Sequence, residues 1–180
     1  MPKSASRPQR DGVLRTHEAL RQDLLNQRNE YGVWEGHLAE SALSTAVAVF
    51  ALRSIDPQGS ENRIRQGESW LTQHANDDGS WGDTTVSAGN LSTTLLALSA
   101  LQGAPGPEAE KARRRAEAWI SQSCGGWGPD ILAHAILAHY GEDRTFSVPI
   151  LTMCALAGLL GDAPGCWAQI PQLPFELALL

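Results

Sequence analysis

The chain has 180 residues, 42% of them hydrophobic and 19% charged, with a formal net charge of −6. That length can bury roughly 70% of the surface the unfolded chain exposes, so a sizeable core is within reach. The acidic balance, with no basic run interleaved with aromatics, argues against a nucleic-acid partner.

Residues 1–11 are polar and proline-containing and are expected to form a disordered tail, leaving residues 12–180 as a single repeat domain. Apolar residues at three- and four-residue spacing predict a first helix near 12–28. A second is predicted near 39–53, where Ala42, Val47, Val49, Phe50 and Leu52 make it apolar on most of its circumference, a pattern expected of a buried helix. After the Asp56-Pro57-Gln58-Gly59 turn, a third helix is predicted near 60–74 and a fourth near 90–102, with Asn90 or Ser92 as its cap. Gly103-Ala104-Pro105-Gly106-Pro107 breaks the chain before a fifth helix near 108–123. A sixth near 130–140 and a seventh near 147–160 complete the series, and strand alternation is absent. The odd helices are charged on one face and the even ones nearly all apolar, which predicts an outer and an inner layer.

A phrase recurs three times: an apolar pair, one residue, a glutamine, and then Gly-x-Trp. Its copies centre on Gln27, Gly32 and Trp34, on Gln73, Gly79 and Trp81, and on Gln122, Gly125 and Trp127. The tryptophans are 47 and 46 residues apart (81 minus 34, 127 minus 81), a period typical of helical-hairpin arrays. Each phrase reads as a staple. The apolar pair ends a helix, the glycine supplies the turn, the tryptophan buries a large area, and the glutamine amide satisfies open groups at the helix end.

These residues resemble the triterpene cyclases, typified by squalene–hopene cyclase. Gly67-Glu68-Ser69-Trp70-Leu71-Thr72-Gln73 with Asp78-Gly79-Ser80-Trp81, and Ala116-Glu117-Ala118-Trp119-Ile120-Ser121-Gln122 with Gly125-Gly126-Trp127, fit that family's Gln-and-Trp repeat. Tyr31-Gly32-Val33-Trp34-Glu35-Gly36-His37-Leu38 resembles its N-terminal turn. Trp167-Ala168-Gln169-Ile170-Pro171-Gln172-Leu173-Pro174-Phe175-Glu176-Leu177 resembles its Trp-x-x-x-Pro-x-Leu-Pro-x-Glu segment. The resemblance covers about residues 20–180. It implies an all-α fold, an α/α-barrel (toroid) portion of about seven helices in hairpin repeats.

The family's catalytic acid belongs to an Asp-x-Asp-Asp motif, and no such motif occurs here. Where related repeats carry Asp-x-Asp-Thr-Thr, this chain has Asn90-Leu91-Ser92-Thr93-Thr94, and neither Asn90 nor Ser92 donates a strongly acidic proton. Asp77-Asp78 reads as a turn within Asn76-Asp77-Asp78-Gly79. Lys111, Arg113, Arg114 and Arg115, set among Glu108, Glu110 and Glu117, read as a solvated helix face. His134 and His139, five apart, with Cys124 and Asp130 upstream, do not have zinc-ligand spacing. Cys124, Cys154 and Cys166 show no Cys-x-x-Cys pattern and read as reduced thiols, with Met153 and Cys154 in the core. No catalytic residue, cofactor or metal is expected. The recurring position of the tryptophans favours packing over the lining of a cavity that stabilises carbocations.

The resemblance implies the N-terminal, non-catalytic portion of a cyclase of triterpenoid (hopanoid) biosynthesis, inactive by itself. Residues 171–180 are expected to be linker sequence of a longer enzyme. The expected partners are the acid-bearing remainder of the enzyme, or a second copy through residues 147–180, with an isoprenoid lipid as ligand. The alternative is a stand-alone helical-repeat module that binds an isoprenoid lipid or a protein. No signal-peptide stretch is evident, and the longest unbroken apolar run, 46–52, is far short of a membrane span. The expected location is cytoplasmic, peripheral to the inner face of the membrane in the full enzyme.

Overall fold

The computed structural model describes residues 7–36 and 39–172. Seven α-helices and one 3-10 helix make up the described residues, with no strand among them: α1 (Arg7–Asn26), α2 (Ala42–Ile55), α3 (Glu61–Gln73), α4 (Leu91–Leu101), α5 (Pro107–Cys124), α6 (Pro129–Tyr140), α7 (Arg144–Leu156) and the 3-10 helix Gly165–Gln169. Where the sequence predicts one domain over 12–180, the chain divides into two units, Met1–Ala39 and Glu40–Leu180.

In the first unit, α1 begins at Arg7, inside the span expected to be a disordered tail. Val13, Leu14, Leu20 and Leu24 all remain exposed, so this helix builds no core of its own.

The second unit is organised around α4. Asn90 caps it, the side-chain oxygen accepting from Thr93 N–H at 2.8 Å, and all of its residues from Ser92 to Leu101 are buried. Ser41 and Asp143 cap α2 and α7 in the same way, and prolines occupy the first position of α5 and α6, where no backbone donor is needed. α4 packs against α2, α5 and α7, while α3 and α5 pack against each other outside it. The third member of the inner row is therefore α7 and not the sixth helix; α6 packs on α5 and α7.

Two further expectations are corrected here. α7 stops at Leu156 and not near 160, because Gly158, at φ +78°, closes a Schellman turn in which Leu159 N–H donates to Cys154 O. α2 is apolar on most of its circumference, yet only Ala42, Ala46 and Val49 are buried, while Leu43 and Val47 are exposed. Residues 173–180, the greater part of the expected linker, lie outside the described residues.

Candidate functional site

The three repeat turns differ in what their tryptophans do. Trp81 is 1% exposed, and its indole N–H donates to Leu71 O at 2.9 Å. Trp34 is 50% exposed, donates to Leu24 O at 2.6 Å, and lies under the Arg28 guanidinium, 5.3 Å from the ring centroid. Leu71 and Leu24 are each third from a helix end; the indole satisfies a Leu71 carbonyl left open by the helix, and at Leu24 it adds to the 3.2 Å bond from Gln27 N–H. The glutamines do not: Gln73 donates to Ser69 Oγ within α3, and Gln27, one residue past α1, donates back to Asp23. In the third copy Gln122 and Trp127 are only five apart, against eight for Gln73 and Trp81, and Trp127 is 42% exposed. Gln122 is exposed, and Gly125, at φ +74°, ends α5.

The middle turn is the most heavily tied. Gly79 has φ +91°, and a Cβ there would lie 2.9 Å from the Arg115 backbone carbonyl. Ser80 donates to Asp78 Oδ1 through both its N–H and its hydroxyl, and Trp119 donates to Asp78 Oδ2 at 3.0 Å. The Ser80 hydroxyl is the largest influence holding the Asp78 carboxyl below its ordinary range; burial opposes it, and the Ser80 N–H and Trp119 add to it. A depressed pKa suits a hydrogen-bonded turn carboxylate rather than a proton donor. Thr94 Oγ1 accepts from Trp81 N–H at 3.0 Å, and Asp83 accepts from Asn90 and Thr93, both at 2.8 Å. The Asn90–Thr94 segment thus anchors the turn to the start of α4.

The basic cluster is not a uniform solvated face. Arg114 is exposed and pairs with Glu110, as helical spacing predicts, but Arg113 reaches the carbonyls of Leu101 and Ala104, both at 2.8 Å. Arg115 reaches those of Asn76 and Asp77. Both arginines cap carbonyls at the ends of neighbouring segments. His134 and His139 are exposed on α6, and Cys154 lies in the core with Met153. Among the described residues no group of three or more His, Cys, Asp or Glu is arranged to hold a metal.

A groove of about 750 Å³ has a lining that includes α2, the start of α4, α7 and residues 167–172. α2 and α7 supply it through exposed Leu43, Val47, Phe146 and Leu156, half-buried Phe50 and buried Met153, with Trp167 and Ile170. Among the described residues no Asp, Glu, His, Lys or Arg lines it. Its polar groups include Ser92 and Tyr140, whose hydroxyls are 2.9 Å apart. Sequence reading missed both this groove and that pair, since an exposed apolar helix side and a buried one have the same periodicity.

A family model described as the squalene-hopene cyclase N-terminal domain matches residues 18–154. The chain belongs to the squalene–hopene cyclase family. Among curated proteins it is similar to enfumafungin synthase of Hormonema carpetanum, at 29% identity over 149 residues, which is 83% of this chain and 10% of that protein. The chain therefore spans about a tenth of that relative's length. No solved structure matches it significantly. Among the described residues no helix is long and apolar enough to cross a membrane.

Proposed function

We propose that this chain is the N-terminal structural portion of a squalene–hopene-type terpene cyclase. Its groove forms one apolar wall of the cavity in which a linear C30 polyene is cyclised, and the acid-bearing remainder of the enzyme supplies the initiating proton. The observation that carries this reading is the groove itself, apolar over most of its lining and, among the described residues, without a carboxylate or any other charged side chain. Such a wall excludes water and leaves a carbocation no nucleophilic anion to capture, while proton initiation requires a strong acid from elsewhere. The repeat turns at Trp34 and Trp81 serve as structural closures of helix ends rather than as lining.

The test is product formation. The purified chain, given detergent-dispersed squalene, forms no cyclised hydrocarbon above a no-protein control by gas chromatography; hopene in that assay would overturn the non-catalytic reading. A second reading, a stand-alone module holding an isoprenoid lipid, draws on the groove's construction from the second unit alone. A chain that sediments as a monodisperse monomer at micromolar concentration would favour it.

A further inference from the structure

We infer that the groove is a binding site for an uncharged lipid whose hydrocarbon chain ends in a single hydroxyl, with that oxygen held by the Ser92–Tyr140 pair. The inference rests on the reading of the groove as a polyene wall and narrows what that wall accepts. A volume of about 750 Å³ is in the range of small-molecule sites, roughly 300–1,000 Å³. Among the described residues the lining has no ionisable side chain except the tyrosine phenol, so these residues offer no counter-charge to a phosphate, carboxylate or ammonium head, and desolvating one there is costly.

The polar anchor is specific. Ser92, at the start of α4, is buried at 7% exposure, and Tyr140 ends α6 half-buried. The two hydroxyls share one proton in their mutual bond, so whichever accepts it keeps its own O–H unspent, and among the described residues neither has a second partner. An unspent donor beside an apolar groove is best satisfied by an oxygen the ligand brings in. Of the other polar residues lining the groove, Thr145 and Gln172 are exposed and so already solvated, and Thr152 is half-buried midway along α7. The geometry therefore favours one neutral oxygen near Ser92 and hydrocarbon along Leu43, Val47, Leu96, Met153 and Leu156.

The experiment is displacement of an apolar fluorescent dye from the full chain by three probes: geranylgeraniol, the same hydrocarbon lacking the hydroxyl, and geranylgeranyl diphosphate. The alcohol is expected to bind about fivefold more tightly than the hydrocarbon, the worth of one hydrogen bond, and the diphosphate no more tightly than the hydrocarbon. Tyr140→Phe and Ser92→Ala should each remove the preference for the alcohol and leave hydrocarbon binding unchanged. Equal affinity for alcohol and hydrocarbon, tighter binding of the diphosphate, or a Tyr140→Phe variant that weakens both neutral ligands alike would overturn the inference. Each of those results leaves the cyclase reading standing, because that reading is judged by product formation and not by this preference.

Discussion

The indole nitrogen of Trp81 donates a 2.9 Å hydrogen bond to the carbonyl oxygen of Leu71, ten residues upstream and third from the end of α3. Trp34 and Leu24 repeat the relationship with the same ten-residue separation at the end of α1. A helix leaves its last carbonyls without partners, and a side chain that both fills space and donates one hydrogen bond meets the two needs of such an end together.

Trp81→Ala should therefore destabilise the fold by about 3–5 kcal/mol through the cavity it leaves, and Trp81→Phe by about 1–2 kcal/mol through the unpaired Leu71 carbonyl. Gln73→Ala and Trp127→Ala, at exposed positions, should each cost less than either. Denaturant midpoints would check the order. A Trp81→Ala midpoint no lower than that of Trp127→Ala would remove the staple from this account.

Arg53 joins three elements. Its guanidinium pairs with Glu68 of α3 at 2.5 Å and donates to Ala100 O of α4 at 2.6 Å. Both partners are mostly shielded from water, so Glu68→Ala should cost about 2–3 kcal/mol, mainly by leaving the arginine uncompensated. Arg53→Met with Glu68→Leu should recover part of that loss. A double-mutant cycle measures the coupling, and strictly additive losses would show that the pair is not coupled.

Asp78 gives the fold an acid-sensitive contact. Its folded pKa lies below the ordinary value of 3.8, so its stabilisation is complete above that value and is lost as pH falls through the depressed one. Asp78→Asn should therefore be less stable than the parent at pH 6, and the gap should narrow as pH drops below 3.8. Melting curves at pH 6 and pH 3 decide the matter: a gap of equal size at both would mean the carboxylate charge is not what Ser80 and Trp119 recognise.

The helices themselves were legible in the sequence because their apolar spacing persists over three or more turns, and Asn90 announced the start of α4 by its position before an apolar run. What pattern could not distinguish was packing on part of a helix's circumference, as α2 packs on α3 and α4, from enclosure by α2, α5 and α7, as in α4. α2 and α4 are both predominantly apolar, yet α4 is enclosed while Leu43 and Val47 of α2 face an open groove. Arg113 and Arg115 were misread for a related reason. Helical spacing pairs charges along one helix, whereas these two reach carbonyls that only tertiary packing brings near.

Burial also decides thiol reactivity. The Cys154 thiol is pushed up to about 12 by burial, with the Ser99 hydroxyl pulling weakly the other way at 3.8 Å. Cys124 is half-buried and only raised. Since the thiolate is the reactive form, iodoacetamide at pH 8 should modify Cys124 first and leave Cys154 untouched until the chain unfolds. Mass mapping of the alkylated peptides under native conditions would show Cys154 modified early if the α4–α7 interface opens readily.

The uncovered groove predicts how the chain behaves alone. Residues 147–155 of α7 face largely inward; its open side consists of Phe146, Pro149 and Leu156, facing the exposed Leu43 and Val47 of α2 with Trp167 beside them. A contiguous apolar surface of this kind is normally covered by a partner, and in a squalene–hopene-type cyclase the remainder of the enzyme would do so. Without it, the chain should self-associate through this face, which combines α2 with residues of the 146–172 region. Leu156→Lys, at a position 60% exposed, places a charge on the groove without disturbing the buried side of α7. It should shift the sedimentation profile toward monomer at unchanged melting temperature. Association that persists in Leu156→Lys and in Val47→Glu would move the contact away from the groove, to a surface such as the exposed apolar residues of α1.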